Sequence, residues 1–229
     1  MLDIAALHGG YDDVEVLHGI DLVVHAGEIT ALLGANGSGK TTLCSTISGI
    51  VAVRGGSITI EHTDVSTWPA HRRARAGVLV APESRGIFPG LTVDENLALR
   101  LSDASGREQV YARFPLLEQR RQLPAGSLSG GEQQMLALAP VLVSPPPIVV
   151  ADEPTLGLAP RVVAAVMEVF EELRDRGTAI LLVEEKARDV LEIAERVAFL
   201  DLGHIVWSGP RRDIDDERLV ATYLGASRH

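Results

Sequence analysis

The 229 residues predict an α/β fold with a parallel sheet covered on both faces. Two observations carry this. Short, wholly apolar strands alternate with stretches of helical periodicity, as strands buried on both faces require. A glycine-rich loop also stands between one such strand and the helix after it. Composition agrees: 46% hydrophobic and 23% charged residues are ordinary for a globular chain and exclude disordered and low-complexity classes.

Leu2 to Leu7 and Asp21 to Val24 read as early strands. Glu28 to Leu33 is a short apolar strand that stops at Gly34. Lys40 to Ser48 reads as a helix ended near Gly49, and Ser57 to Ile60 alternates like a half-exposed strand. Val78 to Ala81 is a buried strand stopped by Pro82. From Thr92 to about Phe114 the pattern is helical and more polar, with a break expected at Ser105-Gly106. Ile148 to Ala151 and Ala179 to Val183 are buried strands on either side of a strongly amphipathic helix, Val162 to Arg174. Val197 to Leu200 and His204 to Trp207 flank a hairpin turn at Leu202-Gly203. The acidic run Asp213-Ile214-Asp215-Asp216-Glu217 reads as a solvated face. A single domain over 1–229 is expected, with a helical subdomain over about 92–145 inserted between sheet strands.

Charge and cysteine content narrow the function. A net charge of -10 argues against nucleic acid and against electrostatic docking on anionic lipid. One cysteine forms no intrachain disulfide, which fits a reducing, intracellular setting. No apolar run is long enough for a membrane span and no secretory signal opens the chain, so work at a membrane would go through a partner.

Three motifs carry chemistry. Gly34-Ala35-Asn36-Gly37-Ser38-Gly39-Lys40-Thr41-Thr42 fits the Walker A pattern between a strand and a helix. Its glycines let successive N–H groups point at one concave spot, and the helix adds its positive dipole end. Lys40 would set an ammonium on the outer phosphates, and the Thr41 hydroxyl is a hard ligand suited to Mg²⁺. Ser129-Gly130-Gly131-Glu132 opens another helix: Ser129 and Glu132 form a capping box, and the two glycines leave first-turn N–H groups unshielded, a second anion site. Finally, the apolar strand from Ile148 ends in Asp152 and Glu153, placed as a Walker B pair. Asp152 would hold Mg²⁺ and Glu153 would act as general base on water.

In this order, Gly34 to Thr42, Leu128-Ser129-Gly130-Gly131-Glu132-Gln133-Gln134 and Ile148 to Glu153 resemble the ATP-binding subunits of ABC transporters. The resemblance implies a phosphate-binding-loop NTPase core with a mixed sheet, an antiparallel β subdomain and an inserted helical subdomain. It implies that Tyr11 stacks on adenine and that ATP with Mg²⁺ is hydrolysed. It also implies a head-to-tail pair in which each ATP lies between Walker A of one chain and the signature helix of a second ATPase subunit, identical or sister. Polytopic membrane permease subunits would receive the motion near Glu83 to Phe88 at the cytoplasmic face of the membrane. An extracytoplasmic substrate-binding protein would be an indirect partner.

Finer motifs are similar to the branched-chain amino acid and urea subgroup: Pro82-Glu83, Leu91-Thr92-Val93-Asp94-Glu95-Asn96-Leu97, and the Thr155-Leu156-Gly157-Leu158-Ala159-Pro160 run after Asp152-Glu153-Pro154. Branched-chain amino acid import is thus expected, with urea or short-amide import, or a weakly turning-over ATP-gated module, as alternatives. Glu83 stands where most relatives have Gln and could ligate Mg²⁺ or its water. Glu185 occupies the slot of the γ-phosphate-sensing His. There an acceptor-only carboxylate would slow turnover. Pro140 replaces an Arg and predicts a kink or an early helix end near Leu138.

Overall fold

The computed structural model describes residues 1–214. The elements follow in order: β1 (Leu2–Tyr11), β2 (Val14–Val24), β3 (Ile29–Leu33), α1 (Lys40–Ser48), β4 (Val53–Ile60), β5 (Thr63–Asp64), α2 (Ala70–Arg75) and β6 (Val78–Ala81). Then come α3 (Val93–Ala98), α4 (Ala104–Arg113), α5 (Pro115–Gln119), α6 (Gly130–Val143), β7 (Ile148–Asp152), α7 (Pro160–Asp175), β8 (Ala179–Glu184), α8 (Ala187–Ile193), β9 (Arg196–Asp201) and β10 (His204–Pro210).

The main sheet runs β10-β9-β3-β8-β7-β6. Its five strands from β9 to β6 are parallel, and β10 turns back antiparallel on β9. A second, antiparallel sheet runs β2-β1-β4-β5. The period of two decides the layering. Leu32 of β3 faces the second sheet and α1, with Leu43 and Ile47, while Ile29, Ala31 and Leu33 face α6, α7 and α8. Both faces of the sheet are thus dry, as its apolar strands require. In α7, Val163, Val166, Met167, Phe170 and Leu173 recur at helical spacing and are all buried.

Helices α3 to α6 lie between β6 and β7 in the chain and pack around Val93, Leu97, Tyr111 and Leu136. Two expectations bear on these helices: the break at Ser105-Gly106 fails, and of the kink or early end at Pro140 the early end does not occur. Ser105 and Gly106 lie inside α4 and do not break it; the break falls before it, in residues 99–103. Asp103 caps α4, its Oδ2 accepting from the Gly106 N–H at 2.9 Å, so the glycine sits in a first turn where it does little harm. Pro140 does not end α6, which continues to Val143. Leu138, Ala139, Val141 and Leu142 are all buried, so packing holds the last turn across the one bond proline removes.

The strand after Tyr11 begins at Val14 rather than Asp21, forming a long β1–β2 hairpin. Strand β4 also starts earlier, at Val53. The acidic run from Asp213 lies outside the described residues beyond Ile214.

Candidate functional site

The site sits at the carboxyl ends of β3, β7 and β8. The chain leaves β3 at Gly34, whose N–H donates to the Glu184 carbonyl at 3.3 Å. A Cβ on Gly34 would lie 2.4 Å from Ser38 Oγ and 2.8 Å from the Leu200 carbonyl, so no larger residue fits the turn. Gly39, at φ 109°, then delivers the chain into α1 in a left-handed conformation and leaves that helix without a side-chain cap. At its far end, α1 is fixed by the buried Arg73, whose guanidinium donates to the Thr46 and Ile47 carbonyls at 2.7 and 3.0 Å.

Lys40 is 5% exposed. Its Nζ donates to the Gly34 and Ala35 carbonyls at 2.7 and 3.2 Å and pairs with Glu153 Oε1 at 3.3 Å. The ammonium is therefore held between the phosphate loop and the tip of the β7 strand. Glu153 adopts φ 48°, rare for a residue with a side chain, and its N–H donates to the Val183 carbonyl at 2.8 Å. Strain of this kind persists where the surroundings over-determine it, and it gathers at functional sites.

Asp152 is buried beneath the loop. The Thr41 hydroxyl stands near enough to favour the charged form of Asp152, whose Oδ1 has no hydrogen-bond partner among the described residues. Burial pushes its carboxyl above the usual range; Glu153 and Glu83 push the same way, against Thr41 and Lys40. A cavity of about 350 Å³ opens over these groups. Its wall includes Asn36, Gly37, Gly39, Lys40, Thr41 and Thr42 of the loop, with Glu83, Glu153 and Glu185 from three other segments. Asn36 Nδ2 donates to Glu185 Oε2 at 3.0 Å. Backbone donors, one buried cation and several carboxylates around one void suit a polyphosphate with a divalent cation.

Not all expected residues meet here. Tyr11 is 49% exposed at the hairpin tip and is not part of the cavity wall; Val16 of β2 and Leu156 are, Val16 unread in the sequence and Leu156 read only as part of the run after Glu153. Ser129, Gly130, Gly131 and Glu132 are not part of the cavity wall. Their capping box is formed: Ser129 Oγ accepts from the Glu132 N–H at 3.4 Å, and Glu132 Oε2 accepts from the Ser129 N–H at 2.8 Å. Glu184, directly before Glu185 and not part of the cavity wall, is a buried carboxylate that the sequence reading did not single out. It is 4% exposed, and its Oε1 accepts from both the Thr155 N–H (3.1 Å) and hydroxyl (2.7 Å). Burial lifts its carboxyl to about 7. The available signal was a carboxylate closing the apolar run of β8.

The ABC transporter family model matches residues 17–156. This chain belongs to the ABC transporter family. As a member it is an ATPase coupled to transport. It is 40% identical over 202 residues to the high-affinity branched-chain amino acid transport ATP-binding protein BraG of Pseudomonas aeruginosa, covering 86% of this chain and 87% of that protein. It is 33% identical to the probable branched-chain amino acid transport ATP-binding protein LivF of Archaeoglobus fulgidus, covering 93% and 94%. It is 35% identical to the lipopolysaccharide export system ATP-binding protein LptB of Escherichia coli K12, covering 94% and 93%. Among solved structures, an ATP-binding subunit of an ABC transporter superposes with a TM-score of 0.85 at 26% identity, covering 98% and 99%. Among the described residues, no helix of this ABC chain is long and apolar enough to cross a membrane.

Proposed function

We propose that this chain binds and hydrolyses ATP to energise uptake of branched-chain amino acids. The observation that carries the ATP chemistry is Lys40, held at 3.3 Å from Glu153 across the mouth of the phosphate loop. Gly34 to Thr42 would bind the phosphates, with Lys40 neutralising their outer charge. Glu153 would accept a proton from the attacking water. Thr41 and Asp152 fit Mg²⁺: both are hard oxygen donors, and the unpartnered Asp152 Oδ1 is buried beside the loop. Glu83, on the cavity wall, could hold one of the ion's waters. Bound there, Mg²⁺ would offset charge on the phosphates. Among the described residues no cluster of three or more His, Cys, Asp or Glu could hold an ion, so phosphate and water would complete its shell.

The second half of the nucleotide shell would come from another copy or a sister ATPase, through Ser129, Gly130 and Gly131. These residues are not part of the cavity wall of their own chain, which supports a paired working state. Tyr11, at an open hairpin tip, is free to meet adenine. Permease subunits in the membrane would hold the pair at the cytoplasmic face, and an extracytoplasmic binding protein would deliver substrate. The likeness to BraG and LivF supports branched-chain amino acids as cargo.

The test is uptake of radiolabelled leucine, isoleucine and valine by cells lacking this chain. Uptake should fall and return with the parent gene but not with Glu153→Gln, which should instead hold ATP and pair. Unchanged uptake of all three would overturn the cargo. Failure of Glu153→Gln to pair on ATP, alone and with its membrane subunits, would overturn the paired shell.

A further inference from the structure

After β6, the loop carries Glu83 to the wall of the phosphate cavity. Two residues on, the chain turns sharply. Arg85 and Gly86 both hold φ 63°, and the Arg85 N–H donates to the Pro82 carbonyl at 2.9 Å. A left-handed arginine is uncommon and signals a turn held by its surroundings. The turn sends the guanidinium across to the start of α6. Arg85 Nη1 donates to Gln133 Oε1 at 3.1 Å, and a Cβ built on Gly130 would lie 3.2 Å from Nη2. Gln133 passes the contact on: its Nε2 donates to the Leu128 carbonyl at 3.1 Å and, more weakly, to the Ala125 carbonyl at 3.4 Å. A short run of contacts therefore joins the loop of Glu83 to the turn that presents Ser129.

Helix stability does not account for this placement. A cation at the positive end of a helix dipole is unfavourable by itself and belongs at the other end. The guanidinium is placed instead where it ties the first turn of α6 to the loop that carries Glu83.

We propose that Arg85 is a positioning residue: through Gln133 and Gly130 it sets the aim of the α6 N-terminus at the phosphates bound by the partner chain. The proposal rests on the paired shell described above. It links a wall residue of the chain's own cavity to the neighbouring site by way of one loop.

The experiment uses the full chain carrying Glu153→Gln, with ATP-driven pairing followed by sedimentation. Adding Arg85→Ala should weaken pairing about tenfold, the usual scale for losing a hydrogen bond to a charged group. Binding of a fluorescent ATP analogue to the single chain should stay within about twofold of the parent, because the phosphate loop is untouched. Gln133→Ala should weaken pairing similarly, and the double variant should be no weaker than the weaker single. Arg85→Lys keeps the charge without the planar fork and should recover only part of the pairing. Pairing unchanged in Arg85→Ala, losses that multiply in the double variant, or full recovery by Arg85→Lys each overturn the proposal. If the Glu153→Gln parent does not pair, the paired shell itself fails and this proposal falls with it. If it pairs and Arg85→Ala leaves that intact, only this proposal falls.

Discussion

Two helix N-termini in this molecule are built in opposite ways. Helix α1 has no side-chain cap and no acidic residue in its first turn, and it is entered through a left-handed glycine. Helix α6 has a complete capping box and Glu132 in its first turn. A helix end leaves several N–H groups unsatisfied, and side chains or a ligand must meet them. At α1 the chain withholds its own caps and sets a buried ammonium beside the open donors. Under the proposed function, that end would bind the phosphates within one chain. At α6 the cap gives a stable end, and its two glycines are closely packed: a Cβ on Gly130 would lie 3.2 Å from Arg85 Nη2 and one on Gly131 2.8 Å from Val162 Cγ1. The difference teaches how each end meets its own donors: α1 has no side-chain cap of its own, whereas α6 is capped from within the chain by Ser129 and Glu132.

The sharpest way to break this contrast is Lys40→Ala against Ser129→Ala. Truncating a buried charge that faces an ionic ligand costs several kcal/mol, so Lys40→Ala should weaken nucleotide binding by the single chain roughly a thousandfold. Ser129→Ala should lose about 1 kcal/mol of folding stability through the cap and leave single-chain binding close to the parent. Titration with a fluorescent ATP analogue and chemical denaturation read both. Comparable loss of single-chain binding in the two variants would erase the distinction.

A second prediction concerns the strand tip between these regions. Glu184 is buried, and burial raises its carboxyl to about 7 from an ordinary 4.5. The native state thus holds a proton more tightly than the unfolded chain. The penalty is absent below pH 4.5, grows as pH rises, and is complete above about 7. Glu184→Gln keeps an oxygen for the Thr155 donors and removes the buried charge. It should be more stable than the parent at pH 8 by at most roughly 3 kcal/mol, the gap closing toward pH 5. Denaturant midpoints across that range measure it, and a gap that does not vary with pH would show that Glu184 is held without this penalty.

Much of this was legible because its chemistry is local. A phosphate loop needs its glycines, Lys40 and Thr41 at fixed spacing, and α1 begins and ends where the motif and Gly49 predict. The Ser129–Glu132 box forms as its spacing requires. What escaped depends on distant segments. The placement of Glu184 against Thr155 is set by strand register across β7 and β8. Arg85 reaches Gln133 across 48 positions of sequence, through a backbone conformation that arginine rarely adopts. Pro140 does not end α6 early because proline's local cost is fixed, while the packing that offsets it on α6 is tertiary.

The smallest expected effect tests the cavity's least fitting residue. Glu185 lines the phosphate cavity and accepts a hydrogen bond from Asn36 at 3.0 Å. Asn36 belongs to the phosphate loop, so the carboxylate is held on the very segment that should meet ATP. A carboxylate has no proton to give a phosphate oxygen and repels its charge. Glu185 is exposed, so solvent screens that repulsion to about 1 kcal/mol at contact distance. Glu185→Gln keeps an oxygen for Asn36, adds an N–H donor and removes the charge. Steady-state turnover with saturating ATP should therefore rise about fivefold, the rate equivalent of that energy. A fall in KM alone would place the charge in ground-state binding rather than in turnover. A rate equal to or below the parent's would mean that Asn36 keeps Glu185 clear of the terminal phosphate, and that the wall of this site tolerates a like charge without penalty to the reaction.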